Sequence, residues 1–242
     1  MNTATVRALG AINRRFYQHH SASFSRTRNR PWPGWASIIE ARDTASPLSV
    51  LDAGCGNGRF VRWLAGVWRG EIDYVGIDAS LDLLAMARAR RPEGITRYRL
   101  GVVDLLDPRL ATTGSFDLIV ALGLMHHIPG YVNRIALLRR LGERLAPEGQ
   151  LAVAFWRFAP RIAGTQKVIA WQPWAHELDL DELEAGDYLL AWQGDRSVPR
   201  YCHHTDDDEL ARLESDRTTG LTVVRRIQPE NEDNLYLLFE RS

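Results

Sequence analysis

The sequence predicts an α/β fold in which a mostly parallel sheet carries helices on both faces. Two observations indicate it. Apolar runs typical of strands alternate with helical patterns between Leu48 and Trp156, and a glycine-rich stretch follows the first of these runs. Such alternation is typical of a parallel sheet whose strands are connected by helices.

The alternating region contains five predicted strands and three predicted helices. The strands are 48–53, 72–77, 95–101, 116–122 and 150–156, and the helices are 59–68, 81–90 and 132–145. A predicted helix over 206–214 precedes two more apolar runs, 221–226 and 234–239, which are consistent with a closing antiparallel pair. We therefore expect seven strands in one sheet.

The two flanks of this region differ from it. Leu9, Ile12 and Phe16 recur at helical spacing and predict an amphipathic helix over 4–20, with a short second helix after PWPGW, to about Arg42. The segment 157–204 shows little period and is too long for a plain loop, so we expect a lid or a substrate-recognition insertion. The expected organisation is one domain, 1–242, made of a helical cap (1–45), a core (46–156), the insertion (157–204) and a closing part (205–242).

The composition of the chain indicates the cellular environment that it suits. No apolar run approaches the roughly 18 residues of a membrane helix, and the N-terminus lacks the pattern of a secretory signal. The two cysteines, Cys55 and Cys202, lie far apart, which favours a reduced, cytoplasmic protein without a disulfide. Net charge is zero, yet residues 1–39 contain six arginines and no acid. This arm could meet an anionic partner, or it could be a solvated helix face.

The glycine-rich stretch reads Asp52-Ala-Gly54-Cys55-Gly56-Asn-Gly58. Gly54 and Gly56 would let the backbone pass close under a flat or extended ligand, and Gly58 would permit close packing where a helix begins. A loop of this type also suits dinucleotides, so it does not identify a ligand by itself.

Acids at three successive strand ends narrow the choice of ligand. Asp52 closes the first strand, Asp78 the second, and Asp104 follows the third. Asp78 can accept both hydroxyls of a ribose, and Asp104 stands where an adenine amino group could donate. Asp104 alone could instead be a helix cap.

Four motifs, VLDAGCGNG, GID, VVD and FDLIVALGLMHHI, together resemble the class I S-adenosylmethionine (SAM)-dependent methyltransferases over about 50–156. The resemblance implies a Rossmann-like, seven-stranded, mostly parallel sheet and SAM as cofactor. It also implies the cofactor-binding residues: Asp52, Gly54, Cys55, Gly56 and Gly58 at the methionine part, Asp78 and Ala79 at the ribose, Asp104 and Leu105 at the adenine, and Ala121 and Leu122 beside the sulfonium.

Two flanking segments, YQHHSASFSRTRNRPWP and RYCHHTDDDEL, resemble the tRNA methyltransferases that esterify 5-carboxymethyluridine at the wobble position. That family includes a methyltransferase domain fused to an AlkB-like oxygenase. Cys202 and Asp208 depart from its pattern, which has tyrosine and glycine there. The resemblance implies tRNA as substrate and a small activating subunit as a further partner.

The chemistry of a methyl ester suggests acceptor-binding residues. A carboxylate is already a nucleophile at pH 7, so catalysis requires alignment and the removal of water rather than a strong base. Arginine binds a carboxylate through its bidentate fork. Arg200 and His203 are therefore candidates to hold the acceptor, although Arg200 could instead form an ion pair with the acids of 206–209.

Further residues complete the predicted site. Arg28 could bind the carboxylate of SAM, Tyr17 and Trp32 could close over the cofactor, and His126 could line the pocket. Trp32 could equally stack a base or pack the N-terminal helices. His126 and His127 lack ligand-type partners nearby in sequence, so no metal site is expected.

Other functions stay open on the sequence alone. Zero net charge and the tryptophans at 156, 171, 174 and 192 favour a small-molecule methyltransferase. A SAM-binding partner subunit without catalysis is a third hypothesis, against which the intact acids argue. A nucleotide-dependent dehydrogenase suits the motifs less well.

Overall fold

The computed structural model describes residues 1–107, 113–229 and 233–242. Its strands are β1 (Leu48–Ala53), β2 (Ile72–Asp78), β3 (Arg97–Val102), β4 (Phe116–Ala121), β5 (Leu145–Trp156), β6 (Val168–Ile169), β7 (Asp187–Trp192), β8 (Asp195–His203), β9 (Leu221–Ile227) and β10 (Asn234–Arg241). Its α-helices are α1 (Thr3–Arg26), α2 (Trp35–Ile39), α3 (Arg59–Val67), α4 (Leu81–Ala89), α5 (Tyr131–Gly142), α6 (Ala159–Ile162) and α7 (Asp207–Ser215).

Seven of the strands form the central sheet in the order β3-β2-β1-β4-β5-β10-β9. The first five strands of this order are parallel, whereas β10 runs antiparallel to both of its neighbours. The predicted Rossmann-like class and the closing antiparallel pair are thereby confirmed. The strand order reverses between β1 and β4, and in such sheets ligands bind outside the carboxyl ends of the strands at this point.

Each face of the sheet is covered by helices through an apolar core. On one face α2 and α3 contribute Trp35, Phe60 and Leu64, all nearly inaccessible to solvent. On the other face α5 and α7 contribute Leu137 and Leu210. Burial of these side chains is the main favourable term that fixes the helices to the sheet.

The N-terminal helix is longer than the sequence pattern predicted. It begins where the Asn2 side chain accepts a hydrogen bond from the Thr5 amide, a typical N-cap, and it continues to Arg26. The extension past residue 20 is explained by Phe24, whose ring packs edge-on against Phe16 at 6.2 Å between centroids. The apolar face of α1 therefore continues beyond the residues whose helical spacing is evident in the sequence.

The insertion holds a second, three-stranded antiparallel sheet in the order β6-β7-β8, which the sequence pattern did not predict. The sequences of these strands show little alternation of polar and apolar residues, because the strands are covered on more than one side. Tyr201 and Leu189, for example, pack in one cluster with Leu9 and Ile12 of α1. Periodicity fails as a signal when both faces of a strand are covered.

Two predictions from composition can be placed on the structure. Cys55 and Cys202 are both buried and free. Among the described residues, no helix combines the length and the apolar character needed to cross a bilayer.

Candidate functional site

A cavity of about 840 Å³ opens at the carboxyl ends of the parallel strands, under α1. All but three of the predicted site residues line it. The predicted residues that line the cavity are Tyr17, Arg28, Trp32, Asp52, Gly54, Cys55, Gly56, Asp78, Ala79, Asp104, Leu105, Leu122, His126 and Arg200.

Gly58, Ala121 and His203 do not line the cavity. Gly58 precedes α3 with φ +71°, and a Cβ there would lie 3.2 Å from the Cβ of Ala87 in α4. Ala121 is fully buried at the end of β4. The prediction that His203 holds the acceptor needs correction, because its ring nitrogens are occupied at 2.7 Å by Asp187 and at 2.6 Å by Glu209.

The glycine loop follows the backbone conformation that its sequence requires. Gly54 has φ +75° and Gly56 has φ +53°, values that side-chain-bearing residues rarely adopt. The Gly54 amide donates to the carbonyl of Ile77 at 2.8 Å, which ties the loop to the end of β2. The loop is thus held flat against the sheet edge, with its backbone facing the cavity.

Asp78 links the loop to the second strand. One carboxylate oxygen accepts from the Gly56 amide at 2.9 Å and the other from the Ser80 amide at 2.8 Å. Burial raises the pKa of Asp78, and these backbone donors counteract the increase. The donors fix the carboxylate at the cavity wall in one orientation.

Asp52 and Asp104 lie in contrasting environments. Asp52 is buried and accepts from the Tyr74 hydroxyl at 2.8 Å, and burial raises its pKa to about 7. Asp104 is 46% exposed and lies 3.3 Å from a guanidinium nitrogen of Arg14. Asp104 also accepts from the Leu106 amide at 3.0 Å, so one of its oxygens makes the turn-type contact expected of a capping acid.

Tyr17 and His127 form a neutral hydrogen-bonded pair at the cavity wall. The His127 Nδ1 lies 3.0 Å from the carbonyl of Tyr201, so we assign the proton to Nδ1 and let Nε2 accept from the Tyr17 hydroxyl at 2.9 Å. Burial lowers the pKa of His127 to about 3 and raises that of Tyr17 to about 12. Neither group therefore changes its charge near pH 7.

Arg200 is a buried cation at the cavity wall. It is only 5% exposed, and its Nε has no hydrogen-bond partner among the described residues. Aromatic rings surround its guanidinium, with Trp156 at 5.2 Å, Phe16 at 5.5 Å and Trp192 at 5.7 Å from the ring centroids.

The alternative ion pair between Arg200 and the acids of 206–209 is not found in the described part of the chain. Asp206 caps α7, Asp207 pairs with Arg157 at 2.8 Å, and Glu209 contacts Arg134 and His203. The positive charge of Arg200 is therefore left to face the cavity.

His126 is the second polar group of the cavity with an unused atom. Its Nδ1 is buried and has no hydrogen-bond partner in the described residues, and its ring lies 5.1 Å from that of Trp156. Burial lowers its pKa well below the usual range, so it is neutral at pH 7.

His126, His127 and Cys202 bring one ligand-type atom each within 4.8 Å of the others, a grouping that the sequence spacing did not indicate. The donor set suits a cation poorly. Both nitrogens of His127 are already hydrogen-bonded, and burial raises the pKa of Cys202 to about 11, which opposes the thiolate that metals bind. The absence of a metal remains a prediction.

Comparison with known proteins adds to this geometry. Residues 51–151, which carry the glycine loop and all three acids, match the family model described as "Methyltransferase domain". The chain contains a methyltransferase domain. Magnesium protoporphyrin IX methyltransferase from Synechocystis PCC 6803 with bound SAH, at 14% identity, shares the fold of this methyltransferase with a TM-score of 0.63 over 97% of this chain and 100% of that one.

Two relatives by sequence show how much of this chain is shared with known proteins. A protein of Encephalitozoon cuniculi, provisionally named as a methyltransferase, is 26% identical over 94% of both chains. The tRNA (carboxymethyluridine(34)-5-O)-methyltransferase of Saccharomyces cerevisiae is 30% identical over 58% of this chain and 46% of its own length. This methyltransferase thus matches less than half of the yeast protein.

The residues that line the cavity fit SAM. Gly54 has a positive φ, and a Cβ there would lie in tight contact with Leu124 at 3.3 Å, so the loop favours glycine and presents bare backbone at this point. Asp78 and Asp104 place two carboxylates on the same wall. Arg28 brings a cation to the cavity, and its guanidinium contacts the Thr27 hydroxyl and two aromatic rings rather than a carboxylate among the described residues.

Several cavity residues were missed by sequence reasoning. Arg59 lines the cavity and stacks on Trp32 at 4.5 Å. Asn13 lines it as well and accepts from the Tyr201 amide at 2.9 Å. Arg59 directly follows the glycine loop, so its position was a usable signal, whereas nothing in the local sequence marks Asn13.

Proposed function

We propose that this methyltransferase esterifies the carboxylate of a carboxymethylated uridine at the wobble position of tRNA. The observation that carries the proposal is Arg200, a buried guanidinium at the cavity wall with an unpartnered Nε and no carboxylate in salt-bridge contact among the described residues. A buried, unpaired charge is costly, so a site that keeps one is suited to an anionic ligand.

The name of the yeast relative and the flanking segments support the same acceptor. Tyr17, Phe24, Arg28 and Trp32 of the first segment and Arg200 of the second, which are distant in sequence, all line one cavity. Convergence of both segments on one cavity is what a site that holds cofactor and acceptor side by side requires.

We assign the cofactor side of the cavity to the glycine loop and the acids. Asp78 holds the ribose hydroxyls, Asp104 the adenine amino group, and Arg28 the carboxylate of the methionine part. When bound, SAM supplies an electrophilic methyl group. Leu122 and Leu105 contribute apolar wall and exclude water.

On the acceptor side, Arg200 fixes a carboxylate through its guanidinium, and the rings of Trp156 and Trp192 hold that guanidinium in place. His126 offers its neutral ring close by. No group has to remove a proton, since the acceptor is ionised at pH 7. The neutral Tyr17–His127 pair agrees with a site that needs alignment and not a strong base.

The test uses Arg200→Gln with tRNA that carries 5-carboxymethyluridine and labelled SAM. Removal of a charge-assisted contact worth about 1.5–3 kcal/mol should raise the KM for tRNA by roughly 10- to 100-fold. Arg200→Lys keeps the charge and should have a smaller effect. The dissociation constant of SAM should stay near the wild-type value, which separates a defect in acceptor binding from unfolding.

The product itself discriminates between functions. An ester label is released by mild alkali, whereas methyl groups on nitrogen, carbon or ribose oxygen are retained. Alkali-labile label in digested wobble nucleoside supports the proposal, and alkali-stable label in RNA contradicts it.

A small metabolite is the second candidate acceptor. The favouring observation is the size and apolar lining of the cavity, about 840 Å³ with the rings of Phe24, Trp32 and Trp156 on its wall. Label that enters only the metabolite fraction of an extract, and not its RNA, would establish this candidate and refute the tRNA proposal.

A further inference from the structure

Asn57 is the buried polar side chain of the glycine loop, where it lies between Gly56 and Gly58. Its Nδ2 donates to the Ser25 hydroxyl at 2.8 Å, and it also lies 3.4 Å from the carbonyl oxygens of Ser25 and Arg28. Ser25 belongs to the last turn of α1. Asn57 therefore joins the glycine loop directly to the end of the N-terminal helix.

The partners of Asn57 determine how its amide is oriented. Two of the three are carbonyl oxygens, which only accept hydrogen bonds, so the atom that faces them is the NH2 nitrogen. The carbonyl groups in the last turn of a helix have no partner within the helix and need donors from outside. Asn57 supplies such a donor to Ser25 and thus caps the C-terminal end of α1 from a distant part of the chain.

A second donor beside the glycine loop holds the segment that follows α1. Arg59 donates from its guanidinium to the carbonyl of Arg30 at 3.1 Å. Asn57 and Arg59 thus fix the backbone of residues 25–30 at two points, and Arg28 lies between them. The backbone position of Arg28 is therefore set by residues of the glycine loop and the start of α3.

The side chain of Arg28 has only weakly directional contacts of its own. Its guanidinium lies 3.3 Å from the Thr27 hydroxyl, 4.7 Å from the Phe24 ring centroid and 5.9 Å from that of Trp192. Within the described part of the chain it is in salt-bridge contact with no carboxylate. Because rings hold a guanidinium without fixing the direction of its N–H groups, its place in the cavity depends on the anchored backbone.

We propose that Asn57 is a positioning residue that places Arg28 to bind the carboxylate of SAM. This inference rests on the assignment of Arg28 to that carboxylate in the proposed function, and it adds what holds the guanidinium there. A bidentate contact between guanidinium and carboxylate requires close approach in one plane, so a small shift of the Arg28 backbone weakens it. The loop that presents its backbone to the methionine part would thus also fix the cation for that part.

The experiment compares two ligands that differ only in the carboxylate. Decarboxylated SAM keeps the sulfonium and the amino group of SAM but has no carboxylate. The dissociation constant of decarboxylated SAM divided by that of SAM, both from isothermal titration calorimetry, therefore measures recognition of the carboxylate alone. Arg28→Gln should lower this ratio by roughly tenfold or more, because it removes a charge-assisted contact.

Asn57→Ala should lower the same ratio by about three- to tenfold, since a displaced guanidinium keeps only part of its contact with the carboxylate. Ser25→Ala removes only the hydroxyl partner at 2.8 Å and should act in the same direction with a smaller effect. The double variant Arg28→Gln with Asn57→Ala should give the ratio of Arg28→Gln alone, because no guanidinium is left to be positioned.

Asn133→Ala is the matched control. Asn133 donates from its Nδ2 to the carbonyl of Pro129 at 2.7 Å in the same way, but it is not among the described residues that line the cavity. This variant should keep the wild-type ratio even if its melting temperature falls. Equal loss of affinity for both ligands in Asn57→Ala, with the ratio unchanged, would make the role of Asn57 purely structural and overturn the inference.

Failure of the inference and failure of the assignment on which it rests give different results. If Arg28→Gln leaves the ratio unchanged, Arg28 does not hold the carboxylate, and the inference about Asn57 falls with that assignment. If Arg28→Gln lowers the ratio and Asn57→Ala does not, only the inference about Asn57 is refuted. Neither measurement contains a methyl acceptor, so the proposed tRNA acceptor keeps its own separate test.

Discussion

Asp78 illustrates how one side chain can serve the fold and the site together. Its two oxygens accept backbone hydrogen bonds from Gly56 and Ser80, which join the glycine loop to the start of α4. The same carboxylate lines the cavity. A substitution at Asp78 should therefore change the affinity for the ligand.

Replacing Asp78 with asparagine should weaken SAM binding by about tenfold or more. Asparagine keeps one acceptor oxygen but removes the charge, and hydrogen bonds to charged groups are worth about 1.5–3 kcal/mol. Isothermal titration calorimetry gives the dissociation constant. Asp73→Asn is the control, because Asp73 lies near the other end of β2 and pairs with surface arginines. Equal affinity in the two variants would remove Asp78 from the cofactor site.

At the scale of elements, the junction between the glycine loop and α3 determines how closely α3 and α4 approach. Gly58 caps α3 in the left-handed conformation, and its missing Cβ leaves room for Ala87. Gly66 lies in the same helix, but an added Cβ there would meet nothing within 4 Å. The glycine that caps α3 is thus required by packing, whereas the glycine inside the helix is free to change.

Gly58→Ala should lower the free energy of unfolding by about 1–2 kcal/mol, since a left-handed residue with a Cβ is strained and the methyl group would crowd Ala87. Gly66→Ala should raise it by about 0.5–1 kcal/mol, because alanine costs less entropy in a helix. Urea unfolding monitored by circular dichroism measures both. Effects of the same sign would show that the backbone at Gly58 is not constrained as described.

At the scale of the whole molecule, a buried ion network joins the insertion to the core. Arg134 of α5 lies 2.6 Å from both Glu184 and Glu209, and His203 bridges Glu209 and Asp187. Because each His203 nitrogen faces a carboxylate, both nitrogens must donate a hydrogen bond. The ring therefore carries a positive charge. Burial opposes this charge, but the hydrogen bonds to Asp187 and Glu209 prevail and raise the pKa of His203 above 6.5.

The raised pKa of His203 makes the stability of the protein depend on pH. Because the folded pKa of His203 exceeds its unfolded value, the stability it contributes is fully present below about pH 6.5 and is lost as pH rises through the folded pKa. The excess stability of the wild type over His203→Gln should therefore be larger at about pH 6 than at about pH 9. Chemical denaturation at each pH provides the two differences.

His204 is the neighbouring control with the opposite sign. Burial and the adjacent charge of Arg157 lower its pKa, so the wild type should lose stability relative to His204→Gln as pH falls below about 6.5. If both histidine variants responded to pH in the same direction, the network around His203 would not hold a proton as described.

The central sheet and the cofactor half of the cavity were determined by the sequence itself. The β1 bounds were predicted to the residue, and Asp52, Asp78 and Asp104 were placed together because carboxyl ends of parallel strands meet at one edge. These features depend on local pattern: apolar runs, glycines that permit positive φ, and the short reach from each strand to its following loop.

Only the tertiary structure decided the acceptor half. Arg200 and His203 lie in one strand and were equal candidates by sequence, yet Arg200 faces the cavity while His203 joins the buried ion network. Their fates differ because their partners come from elsewhere in the chain: Phe16 and Trp156 beside Arg200, Glu209 beside His203. A pattern of neighbours along the chain predicts which face a residue shares, but what covers that face is set by packing between distant elements.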